Sequence, residues 1–205
     1  MILIRHGQTD HNIKRRYCGS NDPGLNHTGV IQAHMLKQRL KDEKIDEIYS
    51  SGQKRAYQTA EIIFSGKNIK KHDGLREMSF GIFEGMTYGQ IMAGHAKIYA
   101  DWVCNPSQTD IPKGENLKSL YDRVRRAMHF ILSCSSKNKT IAVVAHGGPN
   151  RIILCDAYEY SLEKFWQIDQ DNSALNIIEY FDSGNAKVLT VNDTTHLSGQ
   201  KASEQ

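Results

Sequence analysis

The chain has 205 residues, of which 39% are hydrophobic and 24% are charged, and its formal net charge is +3. This length suits one domain with a buried core, and the small net charge excludes the strong basic footprint of a nucleic-acid-binding protein. No segment approaches the roughly 20 apolar residues of a membrane helix, and Arg5 ends the apolar N-terminal run too early for a signal peptide, so we expect a soluble cytoplasmic protein without nucleic-acid or membrane partners.

The first half of the chain predicts two strands and two helices around a long loop. In chain order these are strand 2–4, loop 7–24, helix 28–44, strand 46–50 and helix 53–64. Thr28 is the predicted N-cap of the first helix, because its hydroxyl can accept a hydrogen bond from the first turn. A polar loop of this length is often functional in a compact domain.

The second half adds the remaining layers of an α/β protein. In chain order it predicts an extended piece 69–72, an irregular segment 75–85, weak helices 88–92 and 96–103, a loop 105–114, helix 115–133, strand 140–145, helix 151–158 and strands 175–181 and 187–191 around a turn at 183–185. The alternation predicts a three-layer α/β/α sandwich with a mostly parallel central sheet. We expect a single domain over residues 1–197, followed by a flexible tail at 198–205.

Two predicted buried strands end in the dipeptide His-Gly. His6-Gly7 follows the first strand and stands directly after Arg5, while His146-Gly147 follows the continuously apolar strand 140–145. Ligands in open α/β sheets bind at the carboxyl ends of the strands, so both imidazoles are expected at one edge of the sheet. One histidine in such a place is usually structural, but two together indicate a shared active site.

The residues around these histidines favour an anion over a metal ion. A metal site needs a third His, Asp, Glu or Cys ligand, and Arg5 beside His6 opposes a cation. Arginine instead binds planar oxyanions such as phosphate, and Arg55 follows the second strand near a helix N-terminus. No cysteine pair has C-x-x-C spacing, which predicts four reduced thiols: Cys18, Cys104, Cys134 and Cys155. We therefore predict a phosphate site without metal or cofactor.

Phosphate chemistry assigns candidate roles to these side chains. A neutral imidazole such as that of His6 can attack phosphorus and form a phosphohistidine. Arginines and a second histidine would neutralise the equatorial oxygens, where most of the catalysis of phosphoryl transfer resides. The departing alkoxide needs a proton, for which Glu77 is the candidate donor and Glu84 the nearby rival.

A set of motifs extends this pattern along nearly the whole chain, from residue 2 to residue 197. The main pieces are Arg5-His6-Gly7 with Asn12, Arg16-Tyr17-Cys18-Gly19, Ser50-Ser51 with Arg55, Leu75-Arg76-Glu77 with Glu84-Gly85, and Ala145-His146-Gly147-Gly148. Together they resemble the histidine phosphatase superfamily, in the branch that includes the cofactor-dependent phosphoglycerate mutases. The resemblance implies that His6 is the nucleophile and Glu77 the general acid. It also implies a phosphate-binding set: Arg5, Asn12, Arg55, His146 and the backbone N–H of Gly147.

The substrate is indicated less sharply. Segments 99–102 and 111–116 look most like the alpha-ribazole phosphatases of cobalamin synthesis, whose broad-specificity cousins are nearly the same. The resemblance implies a metal-independent phosphomonoesterase of the histidine acid phosphatase type, acting on a small metabolite such as alpha-ribazole 5'-phosphate. Arg16, Cys18 and Gly19 lie in a loop that is expected to reach the substrate, although Cys18 stands where glutamine is commoner.

Two other functions stay open on the sequence. A phosphoglycerate mutase would transfer the phosphoryl group, but the segment between Glu84 and Glu115 is too short for the long insertion of the true mutases. A non-catalytic binding or regulatory protein would keep the fold without turnover, which the complete catalytic set argues against. The sequence does not determine the oligomeric state, and a homodimer is one arrangement to consider.

Overall fold

The computed structural model describes residues 1–136, 138–182 and 184–198, and a six-stranded sheet forms its centre. The strands are β1 Ile2–Arg5, β2 Glu47–Ser50, β3 Lys70–Lys71, β4 Ile141–Ala145, β5 Leu175–Tyr180 and β6 Ala186–Asp193. Their order across the sheet is β3-β2-β4-β1-β5-β6. The pairs from β3 to β1 are parallel, whereas β5 pairs antiparallel with both β1 and β6. The predicted mostly parallel sheet is confirmed.

The helices lie on both faces of this sheet. They are α1 Asp10–Ile13, α2 His27–Arg39, α3 Lys54–Ile63, α4 Tyr88–Cys104, α5 Leu117–Cys134 and α6 Gly147–Ala157, with 3₁₀ turns at Asp73–Leu75, Gly81–Phe83, Leu162–Gln167 and Thr195–Leu197. No helix among the described residues is long and apolar enough to cross a membrane.

Alternating strand residues supply two separate cores. Leu3 and Val143 pack with α5 and α6 on one face, while Ile4 and Val144 pack with α2 and α3 on the other. Successive strand side chains point to opposite faces, so a continuously apolar strand such as β4 is buried on both sides. The result is the predicted α/β/α sandwich, with helices covering both faces of the sheet.

The strand register brings the functional positions to one edge. Arg5 pairs with Ala145 across β1 and β4, and Ser50 of β2 pairs with Val144 of β4. The next residues along the chain, His6 and His146 among them, therefore leave the sheet side by side at its carboxyl edge.

Helix α6 begins earlier than the sequence predicts. The sequence predicts a start at Arg151, yet the helix begins at Gly147. Gly147, Gly148 and Pro149 form the first turn of the helix. Backbone N–H groups in a first turn have no intrahelical acceptor, so the absence of an N–H in Pro149 costs no hydrogen bond. The N-terminus of α6 therefore lies directly after His146.

Three other expectations about local structure were wrong. The loop 7–24 contains helix α1, which Thr9 and Asn12 begin with a capping box. Asn26, not Thr28, caps α2, because its side-chain oxygen accepts from the N–H of Gly29 at 2.8 Å. Segments 88–92 and 96–103 belong to one helix with a break at His95. Residues 199–205 of the expected tail, and residue 183 of the expected turn, lie outside the described residues.

Candidate active site

The two histidines predicted to meet do so at the carboxyl edge of the sheet. The ring centroids of His6 and His146 lie 5.1 Å apart, and 3% and 0% of these residues are exposed. His6 lines a cavity of about 200 Å³ whose wall includes Arg5, Arg55 and Glu77, and His146 lies against His6. Residues far apart in the chain thus form one cluster.

The backbone carbonyl of Gly7 determines which ring nitrogen of His6 carries the proton. His6 Nδ1 lies 2.7 Å from the carbonyl oxygen of Gly7. A carbonyl oxygen only accepts hydrogen bonds, so Nδ1 of the neutral ring carries the proton and Nε2 keeps its lone pair. The Gly7 N–H donates to Thr59 Oγ1 at 3.0 Å, and the buried side chain of Thr59 anchors this turn. His6 is therefore held as the tautomer that a nucleophilic Nε2 requires.

His146 is oriented from the opposite side of its ring. Its Nε2 lies 2.9 Å from the hydroxyl of Ser51, which also accepts from the N–H of Gln53 at 3.3 Å. The hydroxyl has two lone pairs and one proton, and among the described residues Nε2 is the one acceptor within reach of that proton, so the hydroxyl donates to Nε2 and the proton of His146 lies on Nδ1. Nδ1 has no hydrogen-bond partner among the described residues. It is a donor available to an oxyanion.

Burial keeps both imidazoles neutral. The pKa of His6 lies well below 6.5, first because burial disfavours the charged ring and then because Arg55 and Arg5 repel it. The pKa of His146 is lowered well below 6.5 by burial, by Arg55 and by His6. Burial also lowers the pKa of Arg5 to about 10, so this guanidinium stays charged at neutral pH.

We expect this electrostatic arrangement to appear in a pH titration of the free protein. Because the pKa of the folded His6 and His146 lies below 6.5, both rings stay neutral as the pH falls through 6.5 and take up protons only at lower pH. Histidine-selective ¹⁵N NMR measures this without substrate, whose phosphate titrates in the same range, at about pH 6. Assignment by His6→Ala and His146→Ala identifies the resonances, and a midpoint at or above 6.5 for either ring would contradict the arrangement.

Arg55 connects the cavity to the loop after α1. It is 1% exposed, and its guanidinium donates to the carbonyl oxygens of Asn21 at 2.9 Å and Cys18 at 3.2 Å. Asp22 lies 3.7 Å from Nη1 and balances part of its charge. The same side chain therefore lines the cavity and holds the loop over it.

Arg5 is oriented by a buried amide pair. Its Nη1 donates to the main-chain carbonyl of Gln170, while Nε is buried without a partner among the described residues. The side chain of Gln170 donates to Asn176 Oδ1 at 2.8 Å, and Asn176 donates to the carbonyl of Leu3 at 3.1 Å. This network ties the arginine to strands β1 and β5.

Glu77 and Glu84 hold different positions. Glu77 lines the cavity, and its Oε1 accepts from the N–H groups of Met78 at 2.9 Å and Gly148 at 3.1 Å, leaving Oε2 less committed. Glu84 accepts from four backbone N–H groups, those of Gly19, Ser20, Asn21 and Phe80. Its carboxylate is thus committed to the loop.

Helix α6 presents its N-terminus to the cavity. The N–H of Gly147 has no acceptor among the described residues, as expected at the first position of a helix. A Cβ at Gly148 would lie 2.3 Å from Glu77 Oε1, so a larger residue here would displace that carboxylate from its observed position. Asn12 also lines the cavity; its Oδ1 is used by Thr9 at 2.9 Å, and its amide N–H groups have no acceptor among the described residues. These donors complete an anion site.

Of the three loop residues predicted to contact substrate, two line the cavity and one does not. Arg16 and Cys18 line the cavity. Burial raises the pKa of the Cys18 thiol to about 11, so it stays protonated. Gly19 does not line this cavity, and its N–H donates to Glu84 at 3.1 Å. Tyr17 also lines the cavity, and its hydroxyl lies 2.8 Å from that of Tyr99.

A family model described as histidine phosphatase superfamily (branch 1) matches residues 1–194. The chain belongs to this superfamily. A protein named phosphoserine phosphatase 1, from Hydrogenobacter thermophilus, is 35% identical over 199 residues, which cover 96% of this chain and 93% of the relative.

Solved structures of the superfamily resemble the whole chain. The structure titled Bacillus stearothermophilus YhfR has a TM-score of 0.89 at 28% identity and covers 96% of this chain and 98% of its own. The alpha-ribazole phosphatase from Shigella flexneri has a TM-score of 0.83 at 26% identity and covers 94% of this chain and 95% of its own. The predicted family and fold are therefore confirmed.

The superfamily motifs did not reveal every residue that lines the cavity. Arg151, Phe165 and Trp166 form part of its wall and were not predicted. Arg151 lies four residues after Gly147 and so shares its helical face. This spacing could have predicted that Arg151 lines the cavity, but only if the start of α6 had been predicted at Gly147. The aromatic pair comes from an irregular segment without a periodic pattern. No group of three or more metal-ligating side chains occurs in the part of the chain that the structure describes.

Proposed function

We propose that this protein is a phosphomonoester hydrolase that works through a phosphohistidine at His6. The observation that carries the proposal is the fixed tautomer of a buried, neutral imidazole: Nδ1 is bound to the Gly7 carbonyl at 2.7 Å, which leaves Nε2 as a nucleophile. That ring lies beside arginines and a helix N-terminus, which suit a phosphate group and oppose a metal ion. The phosphatase names of its relatives support the same reaction class.

The first half-reaction transfers the phosphoryl group to the protein. His6 Nε2 attacks phosphorus, the P–N bond forms, and the bond from phosphorus to the ester oxygen breaks. Glu77 enters this step protonated and gives its proton to the departing oxygen, so the product leaves as a neutral alcohol. The cavity position of Glu77 supports this role over Glu84, whose oxygens accept from the loop N–H groups.

The second half-reaction returns the protein to its starting state. The Glu77 carboxylate takes a proton from water as the water oxygen attacks phosphorus, and the P–N bond breaks. The products are inorganic phosphate and neutral His6, with Glu77 protonated again. One residue thus acts as acid and then as base in the same position.

The remaining polar groups stabilise charge on the equatorial oxygens. Arg5 and Arg55 supply two charged donors, His146 supplies Nδ1–H, and the Gly147 N–H and Asn12 amide supply neutral ones. Donors fixed before the reaction need no reorganisation in the transition state, which is the main source of catalysis in phosphoryl transfer. Neither this set nor the two half-reactions require a metal or a cofactor.

The substrate is a small phosphorylated metabolite. A cavity of about 200 Å³ is below the size of most ligand pockets, which favours a compact alcohol part. Two candidates enter the test panel: alpha-ribazole 5'-phosphate, from the resemblance of segments 99–102 and 111–116, and phosphoserine, from the name of the Hydrogenobacter relative. Residues 1–197 are proposed to form the single domain that performs this reaction.

Hydrolysis and mutase activity are separated by one assay. We expect phosphate release from at least one member of a phosphomonoester panel, and background mutase turnover of 3-phosphoglycerate. A chelator is present throughout, because the proposed steps use only protein groups and water. A rate of mutase turnover higher than the rate of phosphate release would contradict the proposal that the protein is a hydrolase. Activity restored only by added metal would contradict the metal-independent mechanism, and no turnover of any kind would support a binding protein.

A further inference from the structure

Arg151 lines the cavity in addition to the phosphate-binding pair and Arg16. Arg151 projects from α6, and its Nε donates to the carbonyl of Ile168 at 2.7 Å. The guanidinium carbon lies 5.7 Å from the ring centroid of Phe165 and 5.8 Å from that of Trp166. One edge of the guanidinium is thus fixed against the aromatic wall.

The other edge of Arg151 has no partner among the residues that the structure describes. Its two terminal nitrogens make no hydrogen bond or ion pair within the described ranges 1–136, 138–182 and 184–198. Burial lowers the pKa of Arg151, and the charge of Glu77 opposes that change. Arg151 is partly buried and lines the cavity, so these unused donors are available to an anion that enters it.

The free donors of Arg151 lie beside both the phosphate-binding set and the general acid. A Cβ built on Gly147 would lie 3.1 Å from Arg151 Nη1, 3.7 Å from Arg5 Nε and 3.8 Å from Glu77 Oε2. Arg151 therefore shares the neighbourhood of the acid that protonates the leaving oxygen. Its contacts with Phe165 and Trp166 place it on the aromatic wall of the cavity.

From this geometry we infer that Arg151 binds a carboxylate on the alcohol part of the substrate. The substrate class is then a small phosphomonoester whose alcohol carries a carboxylate a few atoms from the ester oxygen. The planar fork of a guanidinium binds a carboxylate through two parallel hydrogen bonds. This inference rests on the proposed function and ranks phosphoserine above alpha-ribazole 5'-phosphate, whose alcohol part has no carboxylate.

Two matched substrate pairs isolate the carboxylate. Phosphoserine and phosphoethanolamine differ only by that group, and 3-phosphoglycerate differs from glycerol 3-phosphate by a carboxylate in place of a hydroxymethyl. We expect the carboxylated member of at least one pair to have a kcat/KM higher by about tenfold or more, as one charge-assisted bidentate contact gives. Arg151→Gln should bring that ratio close to one, mainly through KM, and Arg151→Lys should retain part of it.

The control is Arg126→Gln, which removes an exposed arginine of α5 and should leave the ratios unchanged. An equal loss on all four substrates would overturn the inference, because Arg151 would then bind the phosphoryl group. Ratios in Arg151→Gln that equal those of the unmodified protein would also overturn it.

Binding tests the same inference without turnover. Calorimetric affinities of the His6→Ala protein for phosphoserine and phosphoethanolamine should differ in the same direction, and Arg151→Gln in that background should remove the difference. Equal affinities would overturn the role of Arg151. A protein that binds phosphoserine selectively but releases no phosphate from any substrate would instead contradict the proposed function alone.

Discussion

Replacing His6 by alanine is expected to lower phosphate release by about 10⁴-fold or more while the protein remains folded, because the reaction loses its nucleophile. No other imidazole can take over. His146 is adjacent, but its Nε2 is bound to Ser51 at 2.9 Å and its Nδ1 carries the proton. The phosphate-binding donors stay in place, so substrate affinity should change much less than kcat.

The measurement combines turnover with capture of the intermediate. The unmodified protein is mixed with ³²P-labelled substrate and the reaction is quenched rapidly in alkali. The protein should then carry a label that is stable in alkali and labile in acid, as expected of phosphohistidine. Peptide mapping should place this label on His6. The matched control is His34→Ala, which removes an exposed histidine of α2. Circular dichroism and thermal unfolding check the fold. Undiminished turnover in His6→Ala, or a label on another residue, would contradict the mechanism.

Replacing Glu77 by glutamine should cost about 10²- to 10⁴-fold on alkyl phosphates, the usual contribution of a general acid. The loss should depend on the leaving group. An alkoxide departs with difficulty without a proton, whereas p-nitrophenolate is stable as an anion, so the loss on p-nitrophenyl phosphate should be about tenfold or less. Glutamine keeps the oxygen that accepts from Gly148 at 3.1 Å, so the geometry survives.

Two further variants separate the acid from its rival. Glu84→Gln weakens the acceptor for the loop N–H groups, so any loss should be equal for alkyl and aryl substrates. Glu61→Gln, on the exposed face of α3, should leave both activities unchanged. A leaving-group-dependent loss in Glu84→Gln, with a uniform loss in Glu77→Gln, would exchange the two roles.

Local sequence was sufficient for the sheet and for part of the site. Apolar runs that end at Arg5-His6 and at Ala145-His146 predicted two strands whose ends meet, because parallel strands carry their functional residues at one edge. That inference depends only on the apolar character of each strand and on the chemistry of the residue that follows it. Errors in other predictions, such as the N-cap assigned to Thr28, therefore do not affect it.

The tertiary structure supports the choice of Glu77 over Glu84, which the sequence made only through the family resemblance. Both carboxylates lie in one irregular segment, and neither spacing nor residue type distinguishes them. The loop that contains Gly19 donates its N–H groups to Glu84, while Glu77 reaches the cavity through the space left by the missing side chain of Gly148. Such long-range contacts leave no periodic signal along the chain.

By itself the sequence determined the α/β class and the superfamily, and it predicted a nucleophile with its arginine partners, because each follows from local polarity and motif chemistry. Only the tertiary structure decided which nitrogen of His6 is free, since that depends on a 2.7 Å contact with the Gly7 carbonyl. It also decided that Arg151 lies in the cavity with unused donors. That outcome depends on the start of α6 and on packing against a distant aromatic segment, neither of which side-chain periodicity encodes.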